Sequence, residues 1–170
     1  MAGLKGGNKM EKSYRSLSGR SYLVFGLLLM VLFSGCSPIS KELRNRADQR
    51  LTFQQVSQNP EAYKGKIVIW GGEIIETIVQ KDGTTLIVVL QRPLDRKKEP
   101  KIQSSEGRFV ILVEGIVEPY TFRRGRRITT GGEILGKKVM RLGEFEYPYA
   151  LLRSKQLHLW EEYDYATSSE

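Results

Sequence analysis

The sequence has few of the residues from which small proteins build disulfide frameworks or metal sites. Among 170 residues there are one cysteine and one histidine. That excludes a disulfide framework, a zinc finger and any metal site with several Cys or His ligands. Long apolar runs are missing too, since the run at 22–33 spans about 18 Å as a helix against the ~30 Å hydrocarbon core of a bilayer. A chain of this length forms one modest domain, which excludes a large multidomain enzyme.

The N-terminal segment has the composition of a targeting signal. Residues 1–20 carry five basic residues and one acid, and the apolar run 22–33 follows them. Ser34 and Gly35, both small, stand directly before Cys36. A basic region, a short apolar region and a small-residue cleavage site together predict a signal peptide over residues 1–35. Translation from either Met1 or Met10 is compatible with it.

The run from Phe33 to Cys36 resembles the lipobox of bacterial lipoproteins, in which an apolar residue and two small residues precede a cysteine. The resemblance implies that Cys36 is acylated and becomes the mature N-terminus, although Phe33 stands where the family usually has leucine. Sorting to the outer membrane is also implied, because Ser37 replaces the aspartate that retains lipoproteins at the inner membrane. The alternative is a plain secretory signal with an incidental cysteine.

Removal of the signal peptide halves the apparent basic character. The whole chain has 27 Lys+Arg and 19 Asp+Glu, a net charge of +8. Residues 1–35 hold five of those bases and one of those acids, so the remaining 135 residues carry 22 against 18, a net of +4.

Two short helices are predicted before the main body of the chain. Residues 36–50 are assigned to the lipidated N-terminus and a tether, in which Leu43, Ala47 and Leu51 have the spacing of a short amphipathic helix. A second short helix is predicted over 52–59, because threonine caps it and Asn-Pro ends it.

Beyond residue 60 the composition predicts an all-β fold. Val, Ile, Thr and aromatic residues alternate with Gly, Pro and Asp breaks at intervals of about ten to fifteen residues. The predicted strands are 66–79, 84–91, 108–117, 126–136, 138–141 and 144–153. Turns are predicted at 81–83 and 136–138, and a crossover with room for a turn of helix at 118–125. Residues 51–162 are assigned to this domain and 163–170 to a disordered tail.

A repeated segment indicates how the strands are arranged. Gly71-Gly72-Glu73-Ile74 recurs sixty residues later as Gly131-Gly132-Glu133-Ile134, each copy after an aromatic residue and a basic turn. Paired glycines in a strand mark a bulge, a sharp bend or the close approach of another backbone. Two such bends in a five- or six-stranded chain predict a small closed or partly open barrel of the OB type, with a two-sheet sandwich as the alternative.

Several segments of the chain resemble a known family, the Slp-type outer-membrane lipoproteins of Gram-negative bacteria. The resemblance covers nearly all of residues 36–162, including NPEAYKGKIVIWGGEI, GRFVILVEGIVEPYTFRRGRRITTGGEILG and GEFEYPYALLRSKQLHLW. Glu118-Pro119 stands where the family tends to have Asp-Pro, and Ile116-Val117 where it often has Phe-Leu. The resemblance implies an envelope lipoprotein linked to starvation or stationary phase, without an established enzymatic activity.

One basic cluster is a candidate anion-binding site. It consists of four arginines around Gly125, namely Arg123, Arg124, Arg126 and Arg127. Guanidinium groups bind phosphate and carboxylate in bidentate fashion, so the cluster has the chemistry to take an anionic lipid headgroup or glycan. A solvated turn before a strand is the alternative.

For the other candidate catalytic and binding residues, the sequence favours structural roles. Glu73 and Glu133 occupy equivalent repeat positions and form a catalytic carboxylate pair only if they lie about 5 to 10 Å apart in an open cleft. His158 has no adjacent nucleophile motif, and we expect it on a strand beside Trp160. Phe145, Tyr147 and Tyr149 share one strand face, which predicts barrel core rather than a platform for stacking bases.

These observations lead to one interpretation and one alternative. The interpretation is a lipid-anchored, non-catalytic binding or structural module of the outer membrane that faces the periplasm, without metal or other cofactor. Its expected partners are outer-membrane lipid through Cys36, and envelope glycan or envelope proteins. The alternative is an OB-type domain that recognises an anionic polymer. A nucleic-acid partner is suggested by the pI of about 9.6, but it is not expected for an exported protein.

Overall fold

Five strands and three short helical segments make up the fold. The computed structural model describes residue 3 and residues 37–142 and 144–162. Two α-helices, α1 (Lys41–Arg46) and α2 (Phe53–Gln58), precede a 3-10 helix at Pro60–Tyr63. The strands are β1 (Ile67–Val79), β2 (Thr85–Arg92), β3 (Arg108–Val113), β4 (Arg127–Leu142) and β5 (Phe145–Leu159). The signal peptide, Cys36 and the tail at 163–170 lie outside the described residues, so those assignments stay predictions.

The strands form a closed barrel in the order β1-β2-β3-β5-β4. Neighbours pair antiparallel except β3 and β5, which are parallel, and β1 closes the barrel by pairing with both β2 and β4. A five-stranded barrel of this order is the OB arrangement. The predicted fold class is confirmed, and the sandwich alternative is excluded.

The barrel interior is filled by alternate residues of every strand and by α2. Phe53 of α2, Trp70 of β1 and Phe109 of β3 pack edge to face, with ring centroids 5.0 to 6.0 Å apart. Val56, the second inward residue of α2, is fully buried in the same cluster. A capping box at Thr52 fixes the start of α2. The helix begins at Phe53, and its side chains Phe53 and Val56 cover one end of the barrel core.

The two copies of the repeat pair with each other around a local two-fold axis. Trp70 lies opposite Thr130, its own repeat equivalent. Gly65 donates its N–H to the carbonyl of Ile134, and the equivalent Gly125 donates to Ile74, both at 2.9 Å. Both turn glycines have positive φ, 81° and 89°, which favours glycine there. The sequence repeat is therefore a structural repeat that forms the β1–β4 contact.

Gly72, Gly71 and Gly132 lie where backbones approach closely. A Cβ atom at Gly72 would lie 2.8 Å from the carbonyl carbon of Leu90 and closer still to its oxygen. At Gly71 and Gly132 it would lie 2.6 and 2.7 Å from a carbonyl oxygen of the neighbouring strand. The register of β1 with β2 shifts farther on, between Ile74 and Glu76. Only glycine fits at these three positions without moving a strand.

Several predicted boundaries are wrong, since the strand predicted over 108–117 ends at Val113 and the one predicted over 144–153 continues to Leu159. No turn interrupts 136–138: β4 runs on to Leu142, and Gly136, with φ of 110°, is part of a bulge opposite β5. The N–H of Lys137 donates at 2.7 Å to the Glu61 carboxylate, a distant partner that local sequence does not reveal. The crossover at 118–125 has hydrogen-bonded turns instead of a helix, with one helix-like bond from Phe122 N–H to the Glu118 carbonyl at 3.0 Å.

Residues 39–47, predicted as part of a tether, pack on the outside of the barrel. Ile39 is fully buried and Leu43 nearly so, against Ile67 of β1. Ser40 caps α1 by accepting the N–H of Leu43 at 3.3 Å, and its own N–H donates to the Gln156 side chain at 2.8 Å. The packed fold therefore includes residues that the sequence had assigned to the tether.

Candidate functional site

A cleft of about 520 Å³ opens between the barrel and residues 44–52, which comprise the end of α1 and the segment that follows it. Arg44 and Asp48 line one wall, and Lys98 and Glu106 come from the loop between β2 and β3. Its volume lies in the range of small-ligand pockets.

The cleft is lined by both apolar and charged side chains. Phe53, Leu94 and Trp70 are among the apolar ones, and Gln91 and Arg92 stand at the end of β2. Arg92 is held by Glu73 at 3.5 Å and by the carbonyl of Gln103. This arrangement suits a small polar or anionic group.

Two hydrogen bonds position the α1 wall. The guanidinium of Arg44 donates to the carbonyl of Ile39 at 2.8 Å, and the N–H of Asp48 donates to the carbonyl of Ile67 at 2.8 Å. Sequence reasoning missed this wall because the polar composition of residues 37–50 indicated a tether. The available signal was the four-residue spacing that joins Ile39 to Leu43 and Ala47.

Three of the four clustered arginines contact protein groups. Arg123 pairs with Glu162 at 2.5 Å and lies over the ring of Tyr120. Arg126 donates to the carbonyl of Trp160 at 2.9 Å. Arg127 pairs with Glu99 and donates to the carbonyl of Glu161 at 3.1 Å.

Arg124, the fourth arginine of that cluster, is exposed. The other three join the start of β4 to residues 160–162. The local sequence around these arginines does not predict this structural role. Anion binding by the cluster stays a prediction that centres on Arg124.

The two repeat glutamates do not form a carboxylate pair. Glu73 lies opposite Arg127 in the β1–β4 ladder, whereas Glu133 lies opposite Ile67. Six residue steps along the strands separate them by roughly 20 Å. Glu133 instead pairs with Lys155 at 3.0 Å. The 5 to 10 Å requirement for glycoside hydrolysis is not met by these groups.

The remaining histidine has the expected structural setting. His158 lies on β5 opposite Thr129, and its ring packs edge to face on Trp160 at 4.6 Å. Among residues 37–142 and 144–162 no group of three or more His, Cys, Asp or Glu side chains could hold a metal ion.

The aromatic row of β5 lies on the outside of the barrel. Phe145 and Tyr147 are 78% and 43% exposed, whereas Tyr149 is buried. The barrel-core prediction is therefore wrong for all three. Phe145 and Tyr147 are exposed because β4 and β5 extend past the barrel as a two-stranded hairpin, which no other described strand covers. Tyr149 packs on an aliphatic outer face of β2 and β3, together with Leu86, Val88 and Val110.

Three carboxylates have pKa values below their ordinary range. Hydrogen bonds from the backbone N–H and hydroxyl of Thr84 lower the pKa of Asp82. The N–H of Tyr120 lowers the pKa of Glu118, with a further contribution from Thr121. A hydrogen bond from Lys64 lowers the pKa of Glu61. Asp82 lies in a turn, Glu118 stands directly before one, and Glu61 lies in the 3-10 helix. These hydrogen bonds indicate local stabilisation of the backbone rather than acid–base chemistry.

Solved structures with a similar fold include single-stranded-DNA-binding proteins. The small single-stranded DNA-binding protein from Streptomyces coelicolor is 13% identical with a TM-score of 0.36, over 55% of this chain and 91% of that one. The Plasmodium falciparum SSB complex with ssDNA is 14% identical with a TM-score of 0.29 over the same shares.

Curated relatives are similar over most of the chain. An uncharacterized protein of Haemophilus influenzae is 28% identical over 156 residues, which is 89% of this chain and 84% of that protein. The uncharacterized lipoprotein YeaY of Escherichia coli is 24% identical over 132 residues, which is 76% of this chain and 67% of YeaY. The family described as outer membrane lipoprotein Slp matches residues 33–170. This match spans most of the chain, and the chain therefore belongs to the outer-membrane lipoprotein Slp family.

Proposed function

We propose that this outer-membrane lipoprotein is a non-catalytic binding or structural module, held on the periplasmic side of the outer membrane by acyl chains on Cys36. The observation that carries the proposal is the start of the fold. Ile39 is fully buried only three residues after Cys36, so the domain begins almost at the modified cysteine.

Acylation supplies enough affinity for a permanent anchor. Each buried CH₂ contributes about 0.8 kcal/mol, and two or more chains hold a protein on a bilayer where a single chain does so only marginally. Within the described part of the chain, no helix is long and apolar enough to cross a membrane.

Replacement of the cysteine tests the anchor. Cys36→Ala is expected to abolish labelling with fatty acid and to remove the protein from the outer-membrane fraction. Ser34→Ala, which keeps a small residue before the cysteine, serves as the control and is expected to leave both unchanged. Outer-membrane fractionation of Cys36→Ala equal to wild type would contradict the anchor.

The absence of catalysis is supported by the geometry of the candidate groups. Glu73 and Glu133 are engaged by Arg92 and Lys155, and His158 is packed on an aromatic ring. Glu73 and Glu133 lie too far apart along the β1–β4 ladder for the paired acid–base chemistry of glycoside hydrolysis.

Binding of an anionic envelope polymer is the second candidate function. The observation that favours it is the charged cleft beside α1. A nucleic-acid ligand is disfavoured because the outer face of β2 and β3, where OB domains bind oligonucleotides, is aliphatic and buried at Leu86, Val88 and Val110. Stacking of bases needs exposed aromatic rings there.

A binding comparison tests this preference. Lipopolysaccharide and a single-stranded oligonucleotide would be titrated at two salt concentrations against wild type and Lys98→Ser. We expect salt-sensitive binding of the envelope polymer that weakens in the variant. Tighter binding of the oligonucleotide than of lipopolysaccharide would contradict the proposal.

The family resemblance also supports a role in starvation or stationary phase. We expect the amount of the protein to rise as growth stops, and quantitative immunoblotting across the growth curve measures it. A constant amount throughout would contradict this role.

A further inference from the structure

The path of the chain after Cys36 restricts how the barrel can sit on a membrane. Three residues span at most about 10 Å when fully extended, and Ile39 is fixed in a buried cluster with Leu43 and Ile67. An acylated Cys36 therefore keeps this side of the barrel within about 10 Å of the bilayer surface. A long flexible tether would impose no such orientation.

The surface beside Ile67 carries a concentration of positive charge. A shallow groove of about 650 Å³ is lined by Arg46, Arg50 and Lys66, which we call the basic rim. The side chains of Arg46 and Arg50 are 58% and 94% exposed, and Lys66 is exposed as well.

The acidic groups near the basic rim only partly offset its charge. Asp48 lies in the same groove, 3.6 Å from Arg50 and mostly buried. Glu42 contacts Arg46 at the 4.0 Å limit of an ion pair and is 84% exposed, where such pairs contribute little.

Backbone contacts hold the basic rim beside the chain entry. The N–H of Asp48 donates to the carbonyl of Ile67 at 2.8 Å, so the segment that bears Arg50 is attached to the residue after Lys66. Ile67 in turn packs on Ile39. The basic rim and the entry point of the chain thus share one small region.

We propose that the basic rim is a docking surface for the anionic headgroups of the phospholipid leaflet that holds the acyl chains. The inference rests on the proposed anchoring through Cys36. The anchor itself brings a bilayer within reach of this surface, and each Lys or Arg near an anionic leaflet gains about 1 kcal/mol. Docking gives the lipoprotein a fixed orientation, with the barrel face opposite the basic rim turned toward the periplasm.

Lysine acetylation of the mature, acylated protein tests the orientation. The protein would be reconstituted in vesicles of phosphatidylethanolamine with phosphatidylglycerol, or of phosphatidylcholine alone, and treated with a water-soluble acetylating reagent. Lys66 in the basic rim and Lys81 in the β1–β2 turn are both exposed and report on two regions of one molecule. On the anionic vesicles, we expect Lys66 to react about fivefold more slowly than Lys81. We expect no such difference on phosphatidylcholine vesicles or in high salt.

Matched single-charge variants test the role of the basic rim. Arg50→Ser is expected to remove most of the protection of Lys66, whereas Arg141→Ser, at an exposed position of β4, is expected to retain it. Equal protection in the two variants would overturn the inference.

Two further outcomes would also contradict the docking surface. Equal rates at Lys66 and Lys81 on anionic vesicles would exclude it, and protection of Lys138 in place of Lys66 would assign the membrane face to the β4–β5 hairpin. Flotation of the same samples separates the two proposals. Failure to float would contradict the anchor itself, while flotation with an unprotected Lys66 contradicts the basic rim alone.

Discussion

At the scale of single residues, several glycines of the barrel lie where a Cβ atom would meet the backbone of a neighbouring strand. Gly72 faces the backbone of Leu90 across the β1–β2 ladder, so a methyl group there forces two paired strands apart. Gly83, in the β1–β2 turn, has φ of 82° and open space around it. The two positions need glycine for different reasons, contact at one and backbone conformation at the other.

Alanine substitutions should separate these two causes. Gly72→Ala is expected to lower the free energy of unfolding by about 3 kcal/mol or more because overpacking has no flexible neighbour to absorb it. Gly83→Ala is expected to cost about 1 kcal/mol, the strain of a left-handed alanine. Urea denaturation measures both, and a smaller loss for Gly72→Ala than for Gly83→Ala would contradict the contact geometry.

The lowered pKa of Asp82 has a local cause that a single substitution can test. The Thr84 hydroxyl donates to the Asp82 carboxylate at 2.7 Å, and the Thr84 N–H donates at 2.9 Å. Thr84→Ala removes the hydroxyl and the γ-methyl group but keeps the N–H donor, so the pKa of Asp82 should rise part of the way to its ordinary value. Thr84→Ser keeps the hydroxyl and should leave the pKa low.

The sign of the pH dependence follows from this shift. Because folding lowers the pKa of Asp82, its contribution to stability is present above the ordinary aspartate pKa and is lost as the pH falls through the lowered one. Carboxyl-carbon NMR titration of the three proteins measures the effect. An unchanged Asp82 titration in Thr84→Ala would show that the hydroxyl does not contribute.

The partners of a side chain were harder to predict from sequence than the strand or turn in which the residue lies. The four arginines around Gly125 are contiguous in sequence, yet the partners of Arg123 and Arg127 are Glu162 and Glu99. Those carboxylates lie 39 and 28 positions away along the chain. Charge in the sequence was visible, whereas its neutralisation depends on the fold.

At the scale of elements, alternation of apolar residues predicted every strand. The strand predicted over 108–117 ends at Val113. The larger errors lie at β4 and β5, because Gly136 pairs within the β4–β5 ladder and Glu61 binds the next N–H, so the predicted turn does not form. The aromatic face of β5 was assigned to the core because periodicity does not tell the inside of a barrel from its outside. Only the pairing partners decide that, and β5 loses one of them where it leaves the barrel.

The packing of α1 on the barrel gives a prediction at this scale. Leu43 is buried and joins α1 to Ile67, so Leu43→Ala should release the helix and make its backbone accessible to trypsin at the arginines of 44–50. We expect cleavage in this segment to accelerate about tenfold or more, by local unfolding that leaves the barrel intact. Mass spectrometry of timed digests identifies the sites.

Asn45→Ala, at an exposed position of the same helix, is the matched control and should digest like wild type. If Leu43→Ala also digests at the wild-type rate, residues 39–47 are not held by this contact, and the short distance from anchor to barrel loses its basis.

At the scale of the whole molecule, the fold joins an internally repeated barrel to a very short N-terminal connection. The repeat pairs with itself in the β1–β4 ladder, and the chain before β1 contributes Phe53 to the core and Ile39 to an outer cluster. The sequence predicted the barrel from the repeat and the anchor from its only cysteine. It did not predict that packing begins at Ile39, three residues after the proposed anchor, because residues 37–50 are polar in composition and bury only a few side chains.

The N-terminus of the mature protein tests the central claim most directly. Mass spectrometry of tryptic peptides from the purified outer-membrane fraction should find a peptide that begins at Cys36, ends at Lys41 and carries the added mass of its acyl chains. A mature chain that begins at another residue, or an unmodified Cys36 in that fraction, would contradict the account of an acyl-anchored barrel.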